Sequence, residues 1–341
     1  MTKIDSAKIG SLQLSRRQAL IAGLSGLASF YLRDQAFALT DTPPVLAKPV
    51  TVRLGLFKGA YTAAFEDVPA ILEKTNLKLE VADFVRYADA RTALTTGSLD
   101  VATISVGDLI IALTQGATGI VGLSGVASSP RFMVARNDVV IEKWEDLKGK
   151  KVGIAPGSST WFQFTGKLQD LDIPYDSFTS VNIQGAGSNF LIALKRKDID
   201  VALTWEPFES EPIVEGYGYW PKLDYSDSTS VGSETGMIAV TKPFLDANPD
   251  AIRLLLWAFL KSEAGLRSDK AKFAEVVAKY TGASAAVSDR IADKIKLGGV
   301  VTNPQLQVYA KTFFELGAFK KDVSGDVASH FDTSFLKSVS T

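Results

Sequence analysis

The chain has 341 residues, with 37 Lys and Arg against 38 Asp and Glu and a formal net charge of −1, so its charge suggests neither nucleic acid nor a membrane surface as partner. It has no Cys and a single His, His330, which excludes disulfides, thiolate nucleophiles and Cys-ligated metal centres and removes the main ingredient of His-rich zinc sites and Ser-His-Asp triads. A phosphate-binding P-loop and a dinucleotide fingerprint are also missing, since Gly185-Ala186-Gly187 alone is too short to count, and no cofactor or metal is expected.

The first element is an export signal. Leu14-Ser15-Arg16-Arg17-Gln18-Ala19-Leu20 sets a twin arginine ahead of an apolar run over 19–32. Gly23, Ser25, Gly26 and Ser29 interrupt that run, and it is shorter than the ~20 residues a bilayer span needs. Ala36-Phe37-Ala38 then supplies a small-x-small cleavage pattern. Basic region, weak apolar region and cleavage site in that order predict a signal peptide over 1–38, with the arginine pair pointing to the twin-arginine route. The alternative is an amphipathic N-terminal helix of the folded domain. Removing 1–38 takes five basic and two acidic residues with it, leaving 303 residues of net charge near −4. That is enough chain for two lobes with real cores, in a protein expected to be periplasmic.

Beyond residue 50, short β-rich runs alternate with helical patterns. Strands are predicted over 50–57, 77–84, 101–104, 120–123, 132–135, 151–154, 178–183, 201–204 and 237–240. Helices fall between them at 89–96, 108–115, 161–171 and 188–195. This alternation predicts an α/β protein with mostly parallel sheets flanked by helices. From Pro243 the strands are expected to stop. Asn248-Pro249-Asp250 opens a helix whose Ile252, Leu255, Leu256 and Phe259 recur at helical spacing, and further helices follow, one opening at Asn303-Pro304.

An internal similarity organises the middle of the chain. Ala93-Leu94 and Asp100-Val101-Ala102 recur 100 residues later as Ala193-Leu194 and Asp200-Val201-Ala202. In each copy a helix ends, an Asp leads into an apolar strand, and the strand opens onto a loop. Two similar lobes are implied, each offering the C-terminal end of an equivalent strand, which is where open α/β sheets bind ligands.

The same residues carry a family resemblance. Gly97-Ser98-Leu99-Asp100-Val101-Ala102 resembles a step found in periplasmic substrate-binding proteins. Trp144-Glu145-Asp146-Leu147-Lys148-Gly149-Lys150-Lys151-Val152-Gly153-Ile154 is similar to the start of their second lobe, and Trp205-Glu206-Pro207 to the branch that binds nitrate, sulfonates and taurine. The resemblance covers roughly 50–266. It implies a type II periplasmic-binding-protein fold, with lobe 1 over 45–136 plus 238–341, lobe 2 over 137–237, and crossings near 135–138 and 234–239. It also implies a solute-binding protein of an ABC transporter, whose partners are a small-molecule ligand and a membrane permease; monomer is the family expectation.

If the cleft exists, loops after strands should wall it. Ser158, Ser159 and Thr160 precede the helix at Trp161 and can bind an anion through hydroxyls and free N–H groups, or merely cap the helix. Ser105 and Gly107 are the equivalent group in the first lobe. Ser128 and Ser129 can add hydroxyls or form a plain turn. Tyr61 can stack on a ligand, Lys58 can neutralise an anion or stay solvated, and Trp161 and Trp205 can line the cleft or pack in the core. Glu206 suits an anionic ligand poorly, so it either meets an amino group or pairs with Lys or Arg across the lobes. Gln184 is a further polar candidate. The expected ligand is a small anionic organic solute of sulfonate, taurine or nitrate type, captured by lobe closure. Two rivals stand beside it: an enzyme on the same fold, similar to thiamine-pyrimidine synthases but without their Cys-rich motif, and a binding subunit of a sensory system.

Overall fold

The structure, a computed structural model, describes residues 39–40, 42–299 and 301–340. The predicted signal peptide lies outside them. In chain order the first half runs β1 (Val50–Phe57), α1 (Val68–Leu72), β2 (Leu77–Phe84), α2 (Tyr87–Thr95), β3 (Val101–Ile104), α3 (Val106–Thr114), β4 (Ile120–Ser128), β5 (Val134–Arg136), β6 (Lys151–Ile154) and α4 (Ser159–Asp170). It continues with β7 (Thr179–Asn182), α5 (Ser188–Lys195), β8 (Val201–Ala202), α6 (Glu211–Val214), β9 (Gly218–Tyr219) and β10 (Glu234–Thr241). The rest is α7 (Lys242–Ala247), α8 (Pro249–Arg267), α9 (Lys270–Thr281), α10 (Ala285–Lys294), β11 (Lys296–Leu297), α11 (Asn303–Glu315) and α12 (Ser334–Val339).

Two sheets result, ordered β11-β4-β10-β3-β1-β2 and β7-β6-β8-β5-β9. Each holds a parallel trio, β2-β1-β3 and β7-β6-β8, continued by antiparallel strands. The 100-residue repeat is built into these trios. Asp100 Oδ2 accepts the N–H of Arg53 on β1 at 2.9 Å, and Asp200 Oδ2 accepts that of Lys151 on β6 at 2.8 Å. The preceding helix ends match too: Ser98 N–H reaches Ala93 O and Asp198 N–H reaches Ala193 O, both at 2.9 Å. The turn between needs a left-handed residue, which is Gly97 (φ 76°) in one copy and Lys197 (φ 62°) in the other. The Asp therefore recurs because a carboxylate at that corner satisfies the first free N–H of the neighbouring strand.

The crossings differ from expectation. Val134–Arg136 belongs to the second sheet and Glu234–Thr241 to the first, so the chain changes sheets over 129–133 and 220–233. Pro130, having no N–H to offer a ladder, stands just past the end of β4, and the apolar run that follows it pairs in the other sheet. The two crossing segments bond to one another, Tyr225 N–H to Arg131 O at 3.0 Å and Ser129 N–H to Ser233 O at 3.3 Å. The expectation that strands stop after Pro243 also fails, because β11 adds two residues to the edge of β4.

The helical spacing of α8 works as read. Ile252, Leu255, Leu256 and Phe259 are buried against the first sheet's side of the core, and the Phe259 ring stacks on Phe65 with centroids 4.6 Å apart. Burying each such side chain is worth about 1.5–3 kcal/mol. No helix among the described residues is long and apolar enough to cross a membrane.

Candidate functional site

A cavity of about 230 Å³ opens between the sheets, and its walls are the segments that follow strand C-terminal ends. The first sheet's side contributes Phe57 at the end of β1 and Tyr61 beyond it, Arg86 and Tyr87 after β2, and Arg91, Asp108 and Ile111 from α2 and α3. Arg131 comes from the first crossing. The second sheet contributes 155–159 after β6, Gln184 after β7 and Trp205 after β8.

Arg131 is the most constrained of these groups. It is fully buried; Nη1 donates to Tyr61 Oη at 2.6 Å and to Glu209 Oε1 at 3.2 Å, while Nε has no partner. Burial works against its charge, but Tyr61 and Glu209 outweigh that and hold its pKa raised, so it remains a cation. A buried donor without a partner costs about 1–3 kcal/mol, which an incoming acceptor can recover. The Tyr87 hydroxyl is likewise buried and unpartnered, on a ring packed 4.2 Å from Phe57.

Two more arginines are held by carboxylates. Arg91 Nη1 donates to Asp108 Oδ1 at 2.6 Å, and Asp108 Oδ2 accepts from the hydroxyl of Ser105 at 2.6 Å and its N–H at 3.2 Å. Burial pushes the Asp108 carboxyl up, against the opposing pull of Arg91 and Ser105. Arg86 binds both oxygens of Asp89 and turns Nη1 to Gln184 Oε1 at 3.0 Å, a bond that bridges the two sheets' sides of the cavity. At the opposite wall, Ser158 caps α4 by accepting the N–H of Trp161 at 3.2 Å, and the 12-residue helix points its N-terminus at the cavity rim. That end carries a partial positive charge.

Of the residues singled out from sequence, Tyr61, Ser158, Ser159, Gln184 and Trp205 line this cavity. The others stand elsewhere, each for a visible reason. Lys58 lies 3.7 Å over the Tyr280 ring and 3.8 Å from Asp83. Ser105 forms the capping box of α3 with Asp108. Gly107 lets Phe162 and Tyr309 approach so closely that an added Cβ would lie about 2.5 Å from them. Ser128 ends β4 opposite Glu234, and the Ser129 hydroxyl turns to Pro130 O at 2.9 Å. Thr160 is buried against Ser158, 2.9 Å away. Trp161 is in the core, its Nε1 bonded to Tyr175 and its ring edge-on to Phe162. Glu206 sits behind the cavity, fully buried, 2.6 Å from Lys294.

Sequence reading missed Arg86, Tyr87, Arg91 and Arg131. Arg86-Tyr87 follows a predicted strand and Arg131 follows Ser128-Ser129-Pro130, so the loop-after-strand rule extended to every strand would have reached three of the four. Arg91 lies one turn into α2 and needed the helix's orientation.

With this geometry in hand, comparison places the chain among known proteins. It is 25% identical over 272 residues to an Escherichia coli (strain K12) protein that carries the name of an aliphatic sulfonates-binding protein, covering 78% of this chain and 79% of that one. The solved alkanesulfonate-binding protein SsuA from Xanthomonas axonopodis pv. citri, bound to MOPS, superposes with a TM-score of 0.73 at 18% identity, covering 84% of this chain and 99% of that one. The periplasmic nitrate-binding protein NrtA from Synechocystis PCC 6803 superposes with a TM-score of 0.72 at 14% identity, covering 88% and 89%. These likenesses fix the fold as that of periplasmic binding proteins. A family model described as NMT1/THI5 like matches residues 72–269, more than half of the chain, and the chain belongs to that family.

Proposed function

We propose that this protein is an extracytoplasmic solute-binding protein that captures a small organic anion of the sulfonate class between its lobes and delivers it to the permease of an ABC transporter. The observation that carries the reading is Arg131, a fully buried cation with an unpartnered donor, in the wall of a cavity formed by both lobes. A cavity of about 230 Å³ has room for roughly eight water-sized groups, more than nitrate needs. Phe57, Tyr87 and Trp205 supply apolar walls for an organic tail, and the arginines with the α4 N-terminus supply donors for a tetrahedral anionic head. The signal peptide predicted over 1–38, with its arginine pair, supports export to the periplasm, and the sulfonate- and nitrate-binding relatives support transport as the role.

Capture works by differential affinity. Ligand contacts to both walls favour the closed arrangement over the open one, and the closed form docks on the permease as a monomer. Catalysis is not part of this reading. The chain has no Cys, and His330, its Nδ1 3.1 Å from Ile120 O, lines a separate depression with Lys242 and Phe335 rather than the cavity.

A thermal-shift screen tests the reading. Alkyl and aryl sulfonates, taurine, nitrate, sulfate esters, dicarboxylates and thiamine precursors are each presented to the purified protein. At a hundred times its dissociation constant a ligand adds about 2.7 kcal/mol of stability. A clear rise in Tm with sulfonates is the expected result. A rise with thiamine precursors alone overturns the sulfonate assignment.

A further inference from the structure

Behind Arg131 lies a buried cluster of four charges. Glu206 and Glu209, on the segment after β8, are fully buried. Lys294, the last residue of α10, reaches across from the first sheet's side and bonds to both, at 2.6 Å to Glu206 Oε1 and closely to Glu209. Arg131 Nη1 takes the other Glu209 oxygen. Glu206 is completed by Ser210, whose hydroxyl and N–H donate to its two oxygens at 2.9 and 3.1 Å. The Lys294 ammonium also lies 4.5 Å from the centre of the Trp220 ring, which fixes it from the outer side. Burial alone would lower the Lys294 pKa, but the two carboxylates outweigh it and hold the ammonium charged.

The count of charges decides what Arg131 can do. Two carboxylates face two cations, so the cluster is neutral only while Lys294 is present. Without it, two buried carboxylates would compete for one guanidinium, and a net negative charge would lie directly under the anion cavity. At such distances and in such burial, one uncompensated charge outweighs the worth of an ordinary hydrogen bond.

We infer that Lys294 is a positioning residue for solute binding: by neutralising Glu206 and Glu209 from behind, it leaves the Arg131 guanidinium electrostatically available to the anion in the cavity. The inference rests on the proposed solute-binding role and extends it to a residue remote in sequence that does not line the cavity. It also explains why Glu206, an awkward neighbour for an anion site, is compatible with one.

The test is titration calorimetry with benzenesulfonate on the wild-type protein and four variants, each first checked by circular dichroism. Lys294→Met should weaken binding at least tenfold. Glu206→Gln should bind at least as tightly as wild type, because it removes a competing negative charge. The double variant Glu206→Gln/Lys294→Met is neutral again and should return to within about threefold of wild type, and Lys294→Arg, which keeps the charge, should do the same. A merely structural strut would make Lys294→Met and Glu206→Gln err in the same direction and leave the double variant no better than Lys294→Met. That pattern, or an unchanged affinity in Lys294→Met, overturns the inference while the solute-binding reading stands. Should Lys294→Met fail to fold, Glu206→Gln and the neutral double variant decide by the same criteria. Failure of the wild-type protein to bind benzenesulfonate or any other sulfonate overturns the solute reading, and this inference with it.

Discussion

At the scale of single residues, the cavity is a set of donors whose partners are incomplete. Tyr87 has a buried hydroxyl with nothing to bond to, so Tyr87→Phe separates the ligand's share from the protein's. The variant should bind a sulfonate five- to tenfold more weakly, a loss of about 1–1.4 kcal/mol, while its ligand-free stability is unchanged or higher. Parallel calorimetry and urea unfolding read the two quantities. Asp108 acts with the opposite sign, because its carboxylate holds Arg91 at 2.6 Å and competes with an anion for that guanidinium. Burial raises the Asp108 pKa, so acidification neutralises this competitor at a higher pH than it would an ordinary exposed aspartate. Affinity for a permanently charged sulfonate should therefore rise as pH falls through the acid range, and Asp108→Asn should bind more tightly at pH 7 and lose that pH dependence. A pH series of calorimetric titrations on both proteins checks this.

At the scale of elements, most of the fold was legible in the sequence. The alternation of strand and helix gave the two sheets, and the Asp100 and Asp200 repeat gave their equivalence, because a carboxylate at a helix-to-strand corner has one job in both copies. Pattern could not fix which sheet a short apolar run joins. The run at 132–135 reads as a strand in either lobe, and only pairing with β8 and β9 assigns it. Trp161 was misjudged for a related reason: the first turn of α4 faces the cavity with Ser158 and Ser159 but turns Trp161 inward against Phe162 and Phe313, a rotation that periodicity over a mixed helix does not set. Ser158 is both cap and rim. Ser158→Ala should cost about 1 kcal/mol of stability and also weaken sulfonate binding, measured by thermal unfolding with and without ligand. On α8, burial pushes the Glu263 carboxyl up to about 7, against Arg267 and the Gly298 N–H that stabilise its charge. The folded protein thus holds this proton to higher pH than the unfolded chain. Its contribution is complete below the ordinary carboxylate range and is lost as pH rises from about 4.5 to about 7, on the order of 3 kcal/mol at most. Glu263→Gln should flatten the stability profile over that window in urea unfolding.

At the scale of the whole molecule, two of the links between the lobes differ in kind. Arg86 and Gln184 meet at the exposed rim of the cavity, where a single bond is worth little and can break on opening. The cluster of Lys294, Glu206, Glu209 and Arg131 is buried beside the crossing segments, where it persists and sets the charge under the site. The sequence pointed to a cleft but not to its arginines, since Arg86 and Arg91 at the start of α2 and Arg131 on the first crossing come from two separate segments that only the folded sheets bring to one cavity. Glu206 was visible as an anomaly, and its resolution lay 88 residues away at Lys294. The proposed function requires that an organic anion bind between the lobes on the Arg131 guanidinium. Titrating benzenesulfonate, and methyl phenyl sulfone as its neutral counterpart, into the wild-type protein and Arg131→Met measures this binding. The wild-type protein should bind the sulfonate and ignore the sulfone, and Arg131→Met should lose at least a hundredfold in affinity, about 2.7 kcal/mol. Equal binding of the two compounds, or full affinity in Arg131→Met, would contradict the proposed function.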